Sequence, residues 1–249
     1  MTPEQIADRE SVWVRVAKEQ PEFTRDHDAG NNYHAVREIV LGGSVTWAAA
    51  NGYFQPFRGA RVMDVGANAG VYSAYCGLRE AQVVAYEPFP TVFAMLRNMI
   101  ERTGLSSYVR AVNAAVWTYT GKIPYIGHKT PNEDVTCYNG GVPTDGVKWF
   151  PADYERADKV DCISFEEAIG DTVWDCVKMD IEGGEFEVLL ATPEAALKKI
   201  RFMYVEFHDW ASQEFYDRTI KKLRDVFTFK AFRAEGSDGR YEAAYLWKR

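Results

Sequence analysis

Arg61-Val62-Met63-Asp64-Val65-Gly66-Ala67-Asn68-Ala69-Gly70-Val71-Tyr72-Ser73 is the stretch on which the fold turns. Its first five residues make a short β-type run. The glycines mark a tight turn, and Val71 to Arg79 is compatible with a helix. Gln82-Val83-Val84-Ala85-Tyr86 is a second apolar run, ended by the acid Glu87. Phe89 to Arg102 reads as a helix with Pro90 in its first turn, where a missing N–H costs little. Val109 to Trp117 reads as a third strand. Strands alternating with helices predict an α/β, doubly wound sheet that is mostly parallel.

Outward from this unit the rhythm breaks and then resumes. Residues 118–158 are rich in Gly, Pro, Asn, Asp and Tyr and read as inserted hairpins and loops with no core of their own. Their aromatic residues, Tyr119, Tyr125, Tyr138, Trp149, Phe150 and Tyr154, are expected mostly to pin loops, with one or two facing a ligand. Ser164-Phe165-Glu166-Glu167 is a capping box. Val173 to Met179 is the fourth main strand. Thr192-Pro193-Glu194 starts a helix with Thr at the N-cap. Phe202 to Phe207 is the fifth strand, Ala211 to Val226 a helix, and Phe227 to Arg233 with Tyr241 to Trp247 a terminal hairpin. Residues 1–58 form a mainly helical region that serves as cap or substrate region. Residues 59–249 form the main domain.

The chain of 249 residues suits one sizeable α/β domain with additions. Its net charge of −7 disfavours general attraction to nucleic acid. No apolar run approaches the roughly 20 residues that span a bilayer, so no membrane is expected. The N-terminal residues lack the apolar segment of a secretory signal. Cys76, Cys137, Cys162 and Cys176 form no Cys-x-x-Cys pair, which argues against zinc. Cys76 and Cys176 lie in apolar runs and read as core residues. A cytoplasmic, reducing setting is expected.

The turn chemistry points to a nucleoside. Gly66 permits close backbone approach to a ligand, and Gly70 permits tight strand–helix contact. Glu87 stands at a second strand end, where an acid accepts hydrogen bonds from ribose hydroxyls. The spacing is D-x-G-x-x-x-G and not the G-x-G-x-x-G of pyrophosphate loops. Asp64 suits the ammonium of S-adenosylmethionine, which carries no phosphate. The competing view makes the glycines plain loop residues and Glu87 a solvated acid.

Four segments carry a family resemblance: VMDVGANAGVYS (62–73), VVAYEPFP (83–90), VNAAVW (112–117) and VKMDIEGGEFEVL (177–189). In this order, each at an expected strand end, they resemble the FkbM-type S-adenosylmethionine-dependent methyltransferases. The resemblance covers about residues 60 to 208. It implies the class I methyltransferase fold, a seven-stranded sheet with one antiparallel C-terminal strand. It implies that Asp64, Gly66, Asn68 and Gly70 line the methionine part of the cofactor, and that Glu87 with Pro88 holds the ribose. Asn113, Ala114 and Ala115 would lie near the adenine, and Asp180, Glu182 and Gly183 at the methyl-transfer centre. Many members O-methylate sugars or natural products, so a small-molecule or glycan acceptor is expected.

An alcohol acceptor must lose its proton near the transition state. Candidates cluster in Lys178-Met179-Asp180-Ile181-Glu182 and Glu206-Phe207-His208-Asp209, at the ends of neighbouring strands. His208 is the best-matched base by its ordinary pKa, with Asp180 next. A histidine hydrogen-bonded at a strand end is the bland alternative. Mg²⁺ held by Asp180, Glu182 or Asp209, and His208 is a second arrangement. Glu182 and Glu185 can also simply complement the dipole of the following helix. Three further functions stay open: methylation of RNA or protein, a nicotinamide-dependent oxidoreductase, and a noncatalytic nucleoside-binding module.

Overall fold

A computed structural model describes residues 54–128, 140–141, 154–208, 213–233 and 241–248. In chain order the elements are β1 (Arg61–Val65), α1 (Val71–Gly77), β2 (Gln82–Tyr86), α2 (Pro90–Arg102), β3 (Val109–Val112), β4 (Ala115–Trp117), β5 (Gly121–His128), β6 (Gly140–Gly141) and β7 (Tyr154–Ser164). They continue with α3 (Phe165–Ile169), β8 (Trp174–Met179), α4 (Glu185–Ala191), α5 (Glu194–Leu197), β9 (Ile200–His208), α6 (Gln213–Val226), β10 (Thr228–Arg233) and β11 (Tyr241–Trp247). The helical expectation for residues 1–53 lies outside the described residues. Residues 54–57 form no regular element.

Seven strands form the main sheet in the order β10-β11-β9-β8-β1-β2-β3. β1 pairs in parallel with β2 and β8, and β11 runs antiparallel to both β9 and β10. This is the class I methyltransferase sheet. Its central strands are apolar on both faces because helices cover both. Val62, Val83 and Cys176 pack with Tyr72, Tyr75 and Leu96 from α1 and α2. Met63, Val177 and Val205 face the other way and pack with Phe165, Phe186 and Leu223 from α3, α4 and α6. No helix among the described residues is long and apolar enough to cross a membrane.

The third strand differs from expectation. Val109–Trp117 breaks after Val112 into β3 and β4, which belong to different sheets. The ladder to β2 ends at the Tyr86–Val112 pair because the partner chain turns away into α2. β4 then joins a second sheet, β4-β7-β5-β6. Ala115, Ile123 and Cys162 pack together in this sheet, and one of the three, Ile123, belongs to residues 118–158. Tyr119 is exposed, and its hydroxyl donates to the Lys122 carbonyl within the turn. The remaining aromatic side chains of the insert lie outside the described residues.

The two helix starts diverge as well. Ser164 Oγ accepts from Glu167 N at 3.1 Å, as a capping box requires. The return arm runs through a third residue: Thr120 Oγ1 accepts from Ser164 N and donates to Glu167. Ser164→Ala should cost about 1 kcal/mol, seen as a lower urea midpoint at constant slope. Thr192 caps no helix N-terminus. It is the C-cap of α4, its hydroxyl donates to Val188 O at 2.6 Å, and Pro193 takes the N-cap position of α5.

Candidate active site

The carboxyl ends of β1, β2, β8 and β9 lie side by side in the sheet, and open α/β sheets bind ligands in the crevice outside such strand ends. β1 delivers the Val65–Gly70 turn. Gly66 has φ +76°, and a Cβ there would lie 1.7 Å from the Asp180 carbonyl oxygen. The close approach expected toward a ligand is thus made to the end of β8. Gly70 has φ +93°, and its missing Cβ leaves room for Leu96 and Met99 of α2. The tight contact there is between helices, not between strand and helix. Asn68 is left-handed at φ +51°, a conformation Asn tolerates, and its Oδ1 accepts from Ala69 N.

Glu87 is nearly fully buried and braces this turn. Its Oε2 accepts from Asn68 N and its Oε1 from Phe89 N, each at 2.9 Å. A carboxylate offers about four acceptor positions, so two remain. Burial pushes the group up to about 7, against the pull of the two N–H donors. Asn113 donates its amide to the carbonyls of Glu87 and Pro88, which holds the β2 end in shape. The Ala114 side chain is buried, and Ala115 packs into the second sheet against Ile123 and Cys162.

A polar row crosses the α1/α2 face of the sheet. Asp64 is in register with Lys178, and Lys178 with Tyr204. Lys178 is buried, with Nζ 3.1 Å from Asp180 Oδ2, 3.4 Å from the Gly66 carbonyl and 3.9 Å from Asp64 Oδ1. Burial lowers its pKa, but the carboxylates of Asp180 and Asp64 more than reverse that, and it stays charged. Asp64 is fully buried and accepts from Ser73 Oγ at 2.6 Å. Its other oxygen has no hydrogen-bond partner among the described residues. Burial raises the Asp64 carboxyl, against Lys178 and Ser73. For Asp180 the upward push of burial is outweighed by Lys178 and His208, and its pKa falls. Beyond Lys178, Tyr204 donates its hydroxyl to Glu206, which burial and the nearby Asp180 push up to about 7.

The loop after β8 carries the rest. Glu185 is fully buried, and its Oε1 accepts from Ile181 N and Gly183 N at 3.1 Å each. The same oxygen lies 3.0 Å from His208 Nδ1. Glu185 is therefore the anchor of the loop, not a mere dipole complement. His208 Nε2 lies 3.5 Å from Glu182 Oε2. Burial lowers the His208 pKa, yet Glu185, Glu182 and Asp180 lift it well above the usual imidazole value. The surrounding carboxylates thus favour the charged imidazole. Burial, opposed by His208, pushes Glu182 up to about 8.

The structure thus brings together Asp64, Glu87, Asp180, Glu182 and His208, and leaves Ala115 facing the insert. Asp209 lies outside the described residues. Tyr204 joins the site with no signal in the sequence, while Lys178 and Glu206 fall in the candidate stretches without a role of their own and Glu185 is expected only as a dipole complement. The one available signal was a lysine inside the apolar run Val177-Lys178-Met179, where a charge is rare unless paired.

Comparison with known proteins bears on the fold and the family. A crystal structure of a proposed rRNA methylase from Clostridium thermocellum shares the fold, with TM-score 0.51 and 10% identity over 84% of this chain and 94% of that one. The antimetabolite synthetase AmbE of Pseudomonas aeruginosa is 29% identical over 60% of this chain and 8% of its own length. The methyltransferase sdnD of Sordaria araneosa is 25% identical over 58% of this chain and 65% of its own. The matches thus span less than two thirds of either relative. The methyltransferase FkbM domain matches residues 64–234, so the chain belongs to the FkbM methyltransferase family.

Proposed function

We propose that this protein transfers a methyl group from S-adenosylmethionine to a hydroxyl oxygen of a glycan or other small-molecule acceptor. The observation that carries this reading is the pair of buried carboxylates at adjacent strand ends. Asp64 keeps one oxygen without a hydrogen-bond partner among the described residues, and Glu87 keeps two acceptor positions. A cofactor ammonium would give Asp64 Oδ1 the hydrogen bond that Lys178, standing off at 3.9 Å, does not make, and a ribose diol suits the positions left on Glu87. Asn68 and Gly70 shape the turn beside them, and Asn113 steadies Glu87. The cofactor supplies an electrophilic methyl on a sulfonium. With that group bound, an acceptor oxygen would form its bond to the methyl carbon as the S–C bond broke, and the hydroxyl proton would pass to a side chain of the site. Asp180 and Glu182 stand nearest that task by position, with His208 holding Glu182 in place. The name of AmbE, an antimetabolite synthetase, agrees with small-molecule chemistry. Acceptor choice is assigned to residues 1–58 and to the 118–158 insert, and Trp117, which immediately precedes that insert, sets its ring edge against Gly184 of the site loop. The buried thiols of Cys76, Cys162 and Cys176, none in a disulfide, support a reducing, cytoplasmic setting.

Calorimetric titration with S-adenosylmethionine and S-adenosylhomocysteine, with NADH as control, tests the reading. Binding of the sulfur compounds and not of NADH is expected. A folded protein that binds neither would overturn it.

A pH dependence follows from Glu87. The charged groups that face it are Asp64 of β1, which raises its pKa, and Lys178 of β8, which lowers it. With a folded pKa of about 7 against an ordinary 4.5, the folded state holds a proton between these values that the unfolded state has lost. Its contribution to stability therefore declines as pH rises through that window. Ribose hydroxyls donate to the ionised form, so binding below neutrality must expel the proton. Affinity for S-adenosylhomocysteine should be about tenfold weaker at pH 6 than at pH 8. Proton release should show in buffers of different ionisation enthalpy, and Glu87→Gln should abolish both. Affinity flat across this range would remove Glu87 from the ribose role.

A further inference from the structure

We propose that Asp180, Glu182 and His208 form a binding site for one divalent cation of the Mg²⁺/Mn²⁺ class, with Glu185 orienting the histidine. One ligand atom from each of the three residues lies within 4.8 Å of the others. They come from two neighbouring strands: Asp180 and Glu182 follow β8, and His208 ends β9. His208 Nε2 and Glu182 Oε2 are 3.5 Å apart, a separation that suits two ligands each about 2.1 Å from one ion.

Three further features mark the cluster as built. Glu185 holds His208 from the other side, at Nδ1 and at the backbone N–H. A carboxylate behind a ligating imidazole sets its tautomer and turns the second nitrogen toward the metal. The same Glu185 clamps Ile181 and Gly183, the residues that flank Glu182. Glu182 itself is held at φ +57°, a left-handed conformation that costs a non-glycine residue about 1–2 kcal/mol. Such strain is kept where the surroundings enforce a side-chain position. Finally, the carboxylates of Glu182 and Glu185 stand on either side of the His208 imidazole, with Asp180 in the same cluster. A dipositive ion offsets the charge of these carboxylates and takes the Nε2 lone pair as a ligand. One imidazole and two carboxylates leave coordination positions open, which suits Mg²⁺ or Mn²⁺. An acceptor hydroxyl on an open position would be polarised toward loss of its proton. That use of the ion rests on the methyl-transfer reading, but its binding does not.

The test is a Mn²⁺ titration of the full chain without cofactor, followed by the paramagnetic resonance signal of unbound Mn²⁺. One saturable equivalent, displaced by Mg²⁺, is expected. Glu182→Gln and His208→Gln should each weaken it at least about tenfold, and Glu185→Gln about 10- to 100-fold. Asp171→Asn, at an exposed surface acid, should change nothing. Circular dichroism melts and S-adenosylhomocysteine calorimetry on metal-free protein show that each variant is folded and read the cofactor site separately. If Glu185→Gln unfolds, Glu182→Gln carries the test, because that side chain is 30% exposed. Absence of a saturable equivalent, or equal affinity in folded Glu182→Gln and parent, overturns the site. Several weak equivalents unchanged in every variant also overturn it and mark general attraction to a chain of net charge −7.

Discussion

Gly66→Ala is expected to destabilise the domain by at least about 4 kcal/mol, near the upper end of single-substitution effects. Two causes add. A side chain at φ +76° is strained, at about 1–2 kcal/mol. The new Cβ would also fall 1.7 Å from the Asp180 carbonyl oxygen and 2.8 Å from its carbon, which are backbone atoms with no rotamer to give. Relief requires β1 and β8 to part where Asp180 N donates to Val65 O at 3.0 Å. Gly104→Ala is the matched control, since φ is +70° but nothing lies within 4 Å of its Cβ. It should show the conformational part alone. Thermal melts of the two variants separate the terms. A Gly66→Ala loss no larger than that of Gly104→Ala would mean that the β1 turn yields freely and that the contact with Asp180 is not fixed.

Lys178→Met should cost about 3–5 kcal/mol, although Met matches the length of the aliphatic stem. The substitution leaves Asp64, fully buried, and Asp180 without the cation that lies between them. It also removes the donor to the Gly66 carbonyl. Asp64→Asn added to Lys178→Met should restore part of the loss, because one uncompensated charge disappears with the cation. Urea unfolding of the parent, the two single variants and the double variant measures this coupling. A Lys178→Met variant within about 1 kcal/mol of the parent would place Lys178 outside the support of the site. Both substitutions act on one object, the junction of the β1 turn with the β8 end, from which the crevice is built.

Much of the architecture can be read from the chain itself, because the signals are local. Short apolar runs closed by Gly66, Glu87 and Asp180 mark β1, β2 and β8, and the run closed by His208 marks β9. Pro90 and the Ser164–Glu167 box mark helix starts within a residue of where they occur. Glu87 can be placed at a strand end by counting alone. The alternation of side chains along a strand even implies that Asp64 and Lys178 leave their strands on a defined face. What counting does not supply is which strand lies beside which. Gly66 and Lys178 are 112 residues apart, and only the order β9-β8-β1-β2 sets one against the other. The same order decides that Gly66 opens onto a backbone carbonyl, that Glu185 backs His208, and that β4 leaves the main sheet. His208 shows the limit most plainly. An isolated imidazole has a near-neutral pKa, but the value in the fold is set by burial and by three carboxylates from a neighbouring loop. Local propensity thus determined the elements and the family motifs. Register, burial and charge pairing, which exist only after distant segments meet, decided what each residue of the crevice is able to do.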